Sequence, residues 1–305
     1  MRRIGASRAR DGAPDPPRRH GRAWYAAGVL AFLAAILIAL SVPALAEETF
    51  VAGDGARLYV HHAGSGKLML FLHGHPDDWS LYQPQLDEFG HDHLVVAPNL
   101  RGYPPSDAPD RVEAYAMPHL LNDIHAVLDH FQQPCILVGN DWGGYVAWVF
   151  ASAYPDRVER LIILNAPHPA IFLRTIRRDA EQIRASQYEA GIVAAQPPYP
   201  VWYDYYKADP IKVPPSVEAA QNLPEPDLAR SFFTGVTRPP MTTSLHVRVP
   251  TLVIWGMDDG VSLPVQLDGL DQYVEHLTIK RLRAGHLPMR DQPRMVNELI
   301  RQFLP

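Results

Sequence analysis

The chain has 305 residues, 47% of them apolar, which is ample for one α/β domain plus a lid and too short for two full domains of ordinary size. Its 28 basic and 33 acidic residues leave a net charge of −5, so nothing suggests nucleic acid as a partner. The one cysteine, Cys135, excludes a disulfide within the chain and leaves the redox compartment unread.

Residues 1–46 differ from the rest. Arginines crowd the start (Arg2, Arg3, Arg8, Arg10, Arg18, Arg19, Arg22), Ala26 to Leu40 is almost wholly apolar, and Val42-Pro43-Ala44-Leu45-Ala46 precedes Glu47. Basic, apolar and small-residue regions in that order read as a secretory signal peptide cleaved after Ala46, with the folded part exported to a periplasm or secreted. The competing reading is an uncleaved anchor over Trp24 to Ala46, the one circumstance in which the membrane would be a partner. Without this segment, 21 basic and 31 acidic residues remain, a net charge of −10 that offers nothing to an anionic polymer.

From residue 47 strands and helices alternate. Arg57 to His62 follows a Gly53-Asp54-Gly55 turn and reads as a strand, and Leu68 to Leu72 and Val95 to Pro98 read as strands buried on both faces. Helical spacing covers Tyr115 to Phe131. Cys135 to Val138, Leu161 to Leu164, Thr251 to Trp255 and Leu277 to Leu282 complete the strands, and the alternation predicts a doubly wound, mostly parallel sheet.

Two turns at strand ends carry chemistry. After Leu72 stands His73-Gly74-His75-Pro76, a sharp and potentially cis turn that leaves the amide of His75 free to face a neighbouring strand end. After Val138 stands Gly139-Asn140-Asp141-Trp142-Gly143-Gly144, the Gly-x-nucleophile-x-Gly elbow with Asp in the nucleophile's place. Glycines 139 and 143 remove Cβ atoms where strand and helix nearly touch, so Asp141 is expected to be presented at the sheet's carboxyl edge rather than buried. The amides of His75 and Trp142 would form a pair of oxyanion donors. A carboxylate attacking an ester would yield an anhydride, whereas attack on a polarised sp3 carbon leaves a stable alkyl ester; the expected substrates are therefore small apolar molecules with an alkoxide or halide to displace.

These motifs, with Trp79, Arg101-Gly102-Tyr103 and Leu164-Asn165-x-Pro167-His168-Pro169, resemble the epoxide hydrolases of the α/β-hydrolase fold, close to the haloalkane dehalogenases. The resemblance covers Phe50 to about Tyr188 and Pro250 to the end. It implies a core of residues 47–168 and 249–305, with a helical lid of residues 169–248 inserted after the sixth strand. The triad partners should follow in the order acid, histidine. His286, in Ala284-Gly285-His286-Leu287-Pro288 after the last strand, is the expected base that activates water. In Gly256-Met257-Asp258-Asp259, similarity to the family's Gly-x-x-Asp pattern selects Asp259 over Asp258 as the acid that orients it.

The resemblance also implies two lid tyrosines that protonate the epoxide oxygen. Tyr188 falls at the place of the first; no segment between Glu225 and Arg248 matches the motif of the second, where Ser231-Phe232-Phe233-Thr234-Gly235-Val236-Thr237-Arg238-Pro239-Pro240 stands instead. The cluster Tyr199, Trp202, Tyr203, Tyr205 and Tyr206 offers substitute hydroxyls or pocket wall. The ranked expectations are an epoxide hydrolase, then a halocarbon hydrolase using the same Asp141, then a hydrolase-fold protein that binds without turnover. Trp142 also resembles a halide-binding position, whereas the arginines with which fluoroacetate dehalogenases clamp a carboxylate are replaced here by Trp142 and Tyr145. No dinucleotide or phosphate-loop fingerprint is present, so no cofactor is implied, and His91 and His93 in a polar loop are expected at the surface rather than on a metal. Oligomeric state is unread.

Overall fold

The computed structural model describes residues 46–109, 112–186 and 245–305. The segment expected to direct export, Tyr188, the aromatic cluster 199–206 and the 231–240 run lie outside them. Eight strands form one sheet: β1 (Glu47–Ala52), β2 (Arg57–Gly64), β3 (Lys67–Leu72), β4 (His93–Pro98), β5 (Cys135–Asn140), β6 (Val158–Leu164), β7 (Thr251–Gly256) and β8 (Leu277–Leu282). Their spatial order is β1-β2-β4-β3-β5-β6-β7-β8, with β1 and β2 antiparallel to their neighbours and all pairs from β4 to β8 parallel. β1 was not expected. Its alternation is short and mostly exposed, and only pairing with β2 across the Gly53-Asp54-Gly55 turn makes it a strand.

Two apolar layers explain the continuous apolar runs. Leu68, Leu70 and Leu72 face a cluster containing Leu121, Ile124 and Leu128 of α2 (Met117–Phe131) and Val146 and Phe150 of α3 (Asp141–Ala153). Met69 and Phe71 face the other side, against Leu86 and Phe89 of α1 (Gln83–Phe89). After β6 come α4 (Pro169–Arg178) and α5 (Ala180–Ala185); α6 (Pro288–Asp291) and α7 (Pro293–Phe303) close the chain, α7 setting Val296 and Ile300 in the second layer.

Two side chains tie distant segments. Arg101 is buried and grips Asp123 of α2 through Nε and Nη2, both at 2.6 Å, while Nη2 also reaches the Asp54 carbonyl at 2.9 Å. The arginine of the Arg-Gly-Tyr loop is therefore a brace between β1–β2 and α2. His168, which ends the β6 loop, accepts from the Ala170 amide at Nδ1 and donates from Nε2 to the Leu245 carbonyl at 2.9 Å. It stacks on Tyr273 with ring centroids 4.7 Å apart. Asp123→Asn keeps the shape of the brace but removes the carboxylate that the buried guanidinium pairs with directly. Denaturant unfolding should show a loss of about 3–5 kcal/mol.

Candidate active site

The chemistry begins where β5 meets α3. Asp141 is the first residue of α3 and sits at φ 50, a left-handed conformation that non-glycine residues rarely adopt. The backbone there is over-determined by close packing: a Cβ added at Gly143 would lie 2.2 Å from the Leu72 carbonyl oxygen, and one at Gly74 would lie 2.4 Å from Cβ of Asp141. Helix, β3 and the turn after β3 thus converge on one carboxylate. The side chain is presented at the sheet edge as the turn requires, yet only 14% of it is exposed, because the turn after β3 and the His286 loop close over it.

His286 faces that carboxylate. Its Nε2 is 3.2 Å from Asp141 Oδ2, and its Nδ1 is 2.8 Å from Asp259 Oδ2. It is Asp259 that stands behind the imidazole, in a fully covered position, while Asp258 is exposed and its amide donates to the Ala284 carbonyl. Two further donors hold Asp259 Oδ1, the amides of Val261 at 2.7 Å and Ser262 at 3.0 Å. Burial disfavours a charge on His286, but the hydrogen bonds and attraction of the two carboxylates outweigh it and raise the imidazole to about 10. Burial likewise opposes the charge on Asp141, and His286 together with the His75 and Trp142 amides outweighs it, leaving the carboxyl below its usual range.

The turn after β3 supplies the anion site. His75-Pro76 is a cis peptide, and the His75 amide donates to Asp141 Oδ1 at 2.9 Å. With the Trp142 amide also on this carboxylate, both donors expected from the sequence converge on one residue. The His75 ring is buried, which pushes its pKa down to about 4 against the attraction of Asp141, and its Nδ1 lies 3.0 Å from the Tyr103 hydroxyl.

Several contributors were not assigned a role from the sequence. Asn165, at φ 42 after β6, donates from Nδ2 to Asp259 Oδ2 at 2.7 Å and accepts from the Gly256 amide at 2.7 Å. Asn140 donates to the Leu164 carbonyl at 2.8 Å and the His286 carbonyl at 3.3 Å. Gln182 of α5 holds the loop after Asp259 by bonds to Val261 and Leu263, each at 2.9 Å. Asn165 lay in a motif already singled out; its partner is 94 positions away, so no local pattern names its task. Tyr188 lies outside the described residues. Among the described residues no group of three His, Cys, Asp or Glu side chains is disposed to hold a metal ion, and no helix is long and apolar enough to cross a membrane.

Residues 67–190 match the family model of the alpha/beta hydrolase fold. Epoxide hydrolase 3 of Xenopus tropicalis is 31% identical over 295 residues, covering 87% of this chain and 80% of the relative. The chain belongs to the epoxide hydrolases of the α/β-hydrolase fold. Within that family, epoxide hydrolase 4 of Mus musculus is 32% identical over 293 residues, covering 87% of this chain and 81% of the relative. A solved epoxide hydrolase from Bacillus megaterium, a point mutant complexed with its product (R)-3-[1]naphthyloxy-propane-1,2-diol, superposes with a TM-score of 0.69 at 30% identity, over 84% of this chain and 99% of that one. As an epoxide hydrolase the chain is a hydrolytic enzyme.

The charge of the site predicts a pH signature in stability. His286 titrates near 6.5 when unfolded and near 10 when folded, so its contribution is fully present below about pH 6.5 and is lost as pH rises through about 10. Unfolding free energy should decline over that interval in the native chain. Denaturant titrations of His286→Gln across the same interval should show a flatter profile; parallel profiles would contradict the assignment.

Proposed function

We propose that this epoxide hydrolase opens its substrate through an alkyl ester on Asp141. The observation that carries the reading is the division of labour on one carboxylate: Oδ1 faces the His75 amide, and Oδ2 faces His286. Oδ2 attacks an epoxide carbon from the side opposite the breaking C–O bond, and the ring oxygen leaves as an alkoxide that takes a proton. Tyr188 is the proposed donor. The ester then holds Oδ1 as its carbonyl oxygen, beneath the His75 and Trp142 amides.

Esterification also changes His286. The carboxylate charge on Asp141 is gone, one of the two partners that hold the imidazolium has vanished, and the pKa of the ring falls so that its Nε2 proton is released to solvent, from which the Tyr188 phenolate regains its own. A neutral imidazole, kept in orientation by Asp259, then takes a proton from a water molecule attacking Cγ of Asp141. Charge develops on Oδ1 and is met by the two amides. Collapse breaks the Cγ–Oδ2 bond, the diol leaves with Oδ2, and the proton on His286 passes to its alkoxide. The water oxygen remains on the enzyme in the new carboxyl of Asp141, whose proton passes to His286 and restores the resting carboxylate and imidazolium.

The aryloxy propanediol bound by the B. megaterium relative supports a terminal epoxide bearing an aryloxymethyl group as the first substrate to try. With it, His286→Ala should form the ester and hydrolyse it about 100- to 10,000-fold more slowly. Intact-protein mass spectrometry should then show the chain heavier by one substrate, with the added mass on the peptide containing Asp141. In the native chain a single turnover in heavy-oxygen water should give unlabelled diol, the label appearing in the diol only after further turnovers. Solvent label in the first diol would sink the ester mechanism. An alkyl bromide run alongside tests the halocarbon reading by bromide release.

The basic, apolar and small-residue order of residues 1–46 supports export, which we propose as well. Expression with residues 1–46 present should yield, in an exported fraction, a chain whose amino terminus is Glu47. An intact amino terminus in a membrane fraction favours the anchor.

A further inference from the structure

We propose that His73 is a positioning residue for ester hydrolysis: its imidazole holds and polarises the peptide group whose N–H faces Oδ1 of Asp141 from the turn after β3. The inference rests on the ester mechanism above and adds a group to it. His73 follows β3 and is fully buried. Its Nδ1 lies 2.8 Å from the Gly74 carbonyl oxygen, which only accepts, so Nδ1 carries the hydrogen. Its Nε2 lies 3.0 Å from the Leu100 amide, which only donates, so Nε2 offers its lone pair. The two contacts select a single neutral tautomer, and burial agrees with it by pushing the ring to about 4.

The carbonyl of Gly74 and the amide of His75 belong to the same peptide unit. A continuous relay results: Leu100 N–H to His73 Nε2, His73 Nδ1–H to Gly74 O, and His75 N–H to Asp141 Oδ1, the last at 2.9 Å. Every donor in it points toward Asp141. Bonds arranged head to tail strengthen one another, by roughly 10–30% per bond. The benefit grows with the charge at the far end. Oδ1 loses charge when the ester forms and gains a full charge when water attacks it, so the relay favours the second step and not the first.

The alternative is that His73 only ties the turn after β3 to the loop after β4, and two substitutions separate these roles. In His73→Asn the side-chain amide stands at the distance of Nδ1, retaining a donor for Gly74 O while losing the acceptor for Leu100. In His73→Gln the longer side chain reaches the place of Nε2, retaining that acceptor but offering Gly74 O no donor. Single-turnover kinetics with the aryloxymethyl epoxide would resolve the formation and decay of the ester in each. Expected is a decay slowed about tenfold or more in His73→Gln and less than about threefold in His73→Asn, with formation within about threefold in both. Equal decay rates, a faster decay in the Gln variant, or parallel losses in both steps would overturn the proposal.

Replacing a buried histidine also risks the fold, so a second measurement uses the unaltered chain. Nitrogen-15 spectra of labelled histidines should show the His73 ring with hydrogen on Nδ1 and none on Nε2, uncharged from neutrality to near pH 4. A His73 ring protonated on Nε2, or charged at pH 6, would overturn the proposal without any variant. Absence of ester in the native chain is a separate outcome, one that defeats the covalent mechanism and leaves the tautomer to decide on the relay.

Discussion

One carboxylate, facing the His75 amide on one oxygen and an imidazole on the other, is the contact on which the remaining structure depends. A nucleophile of this kind has to stay ionised while mostly covered, and burial alone would protonate it. The amides of His75 and Trp142 and the ring of His286 counter that tendency. Each arrives from a different part of the chain, and each is set by a strand end of the parallel half of the sheet. The strained backbone at Asp141 is maintained because β3, the turn after it and α3 approach too closely for any relaxed alternative.

The parallel arrangement spreads the work evenly. β5 ends in Asn140 and leads to Asp141, the turn after β6 contributes Asn165, β7 leads to Asp259, and β8 leads to His286. Adjacent strand ends thereby form a row of groups bonded in series. Asn165 occupies the place between the nucleophile's strand and the acid's strand, and its amide divides between Asp259 and Gly256. Gln182 and the two amides at 261 and 262 keep the acid from turning away from His286.

What could be read from the sequence follows from how local each cause is. The elbow and the turn after β3 were legible because glycine, proline and strand endings act within a few residues, and the order of Asp141, Asp259 and His286 along the chain follows from the fold they belong to. The choice of Asp259 over Asp258 was legible through family pattern rather than physics; adjacent aspartates in one turn look alike until one meets Asn165 and His286. β1 was missed because an exposed edge strand carries little apolar signal. The tasks of Arg101, Asn165 and Gln182 were hidden for another reason, since their partners come from other elements and long-range pairing leaves no mark on spacing.

His168 sits where the chain departs from the sheet, and the carbonyl it holds belongs to Leu245, where the chain comes back. Departure and return are thus a single hydrogen bond apart, wedged against Tyr273 and Trp148. Fastening two segments 77 positions apart in the chain fixes the distance between them. The clasp holds β6 and β7 side by side, and the spacing of the hydrolytic row at their ends is kept with them.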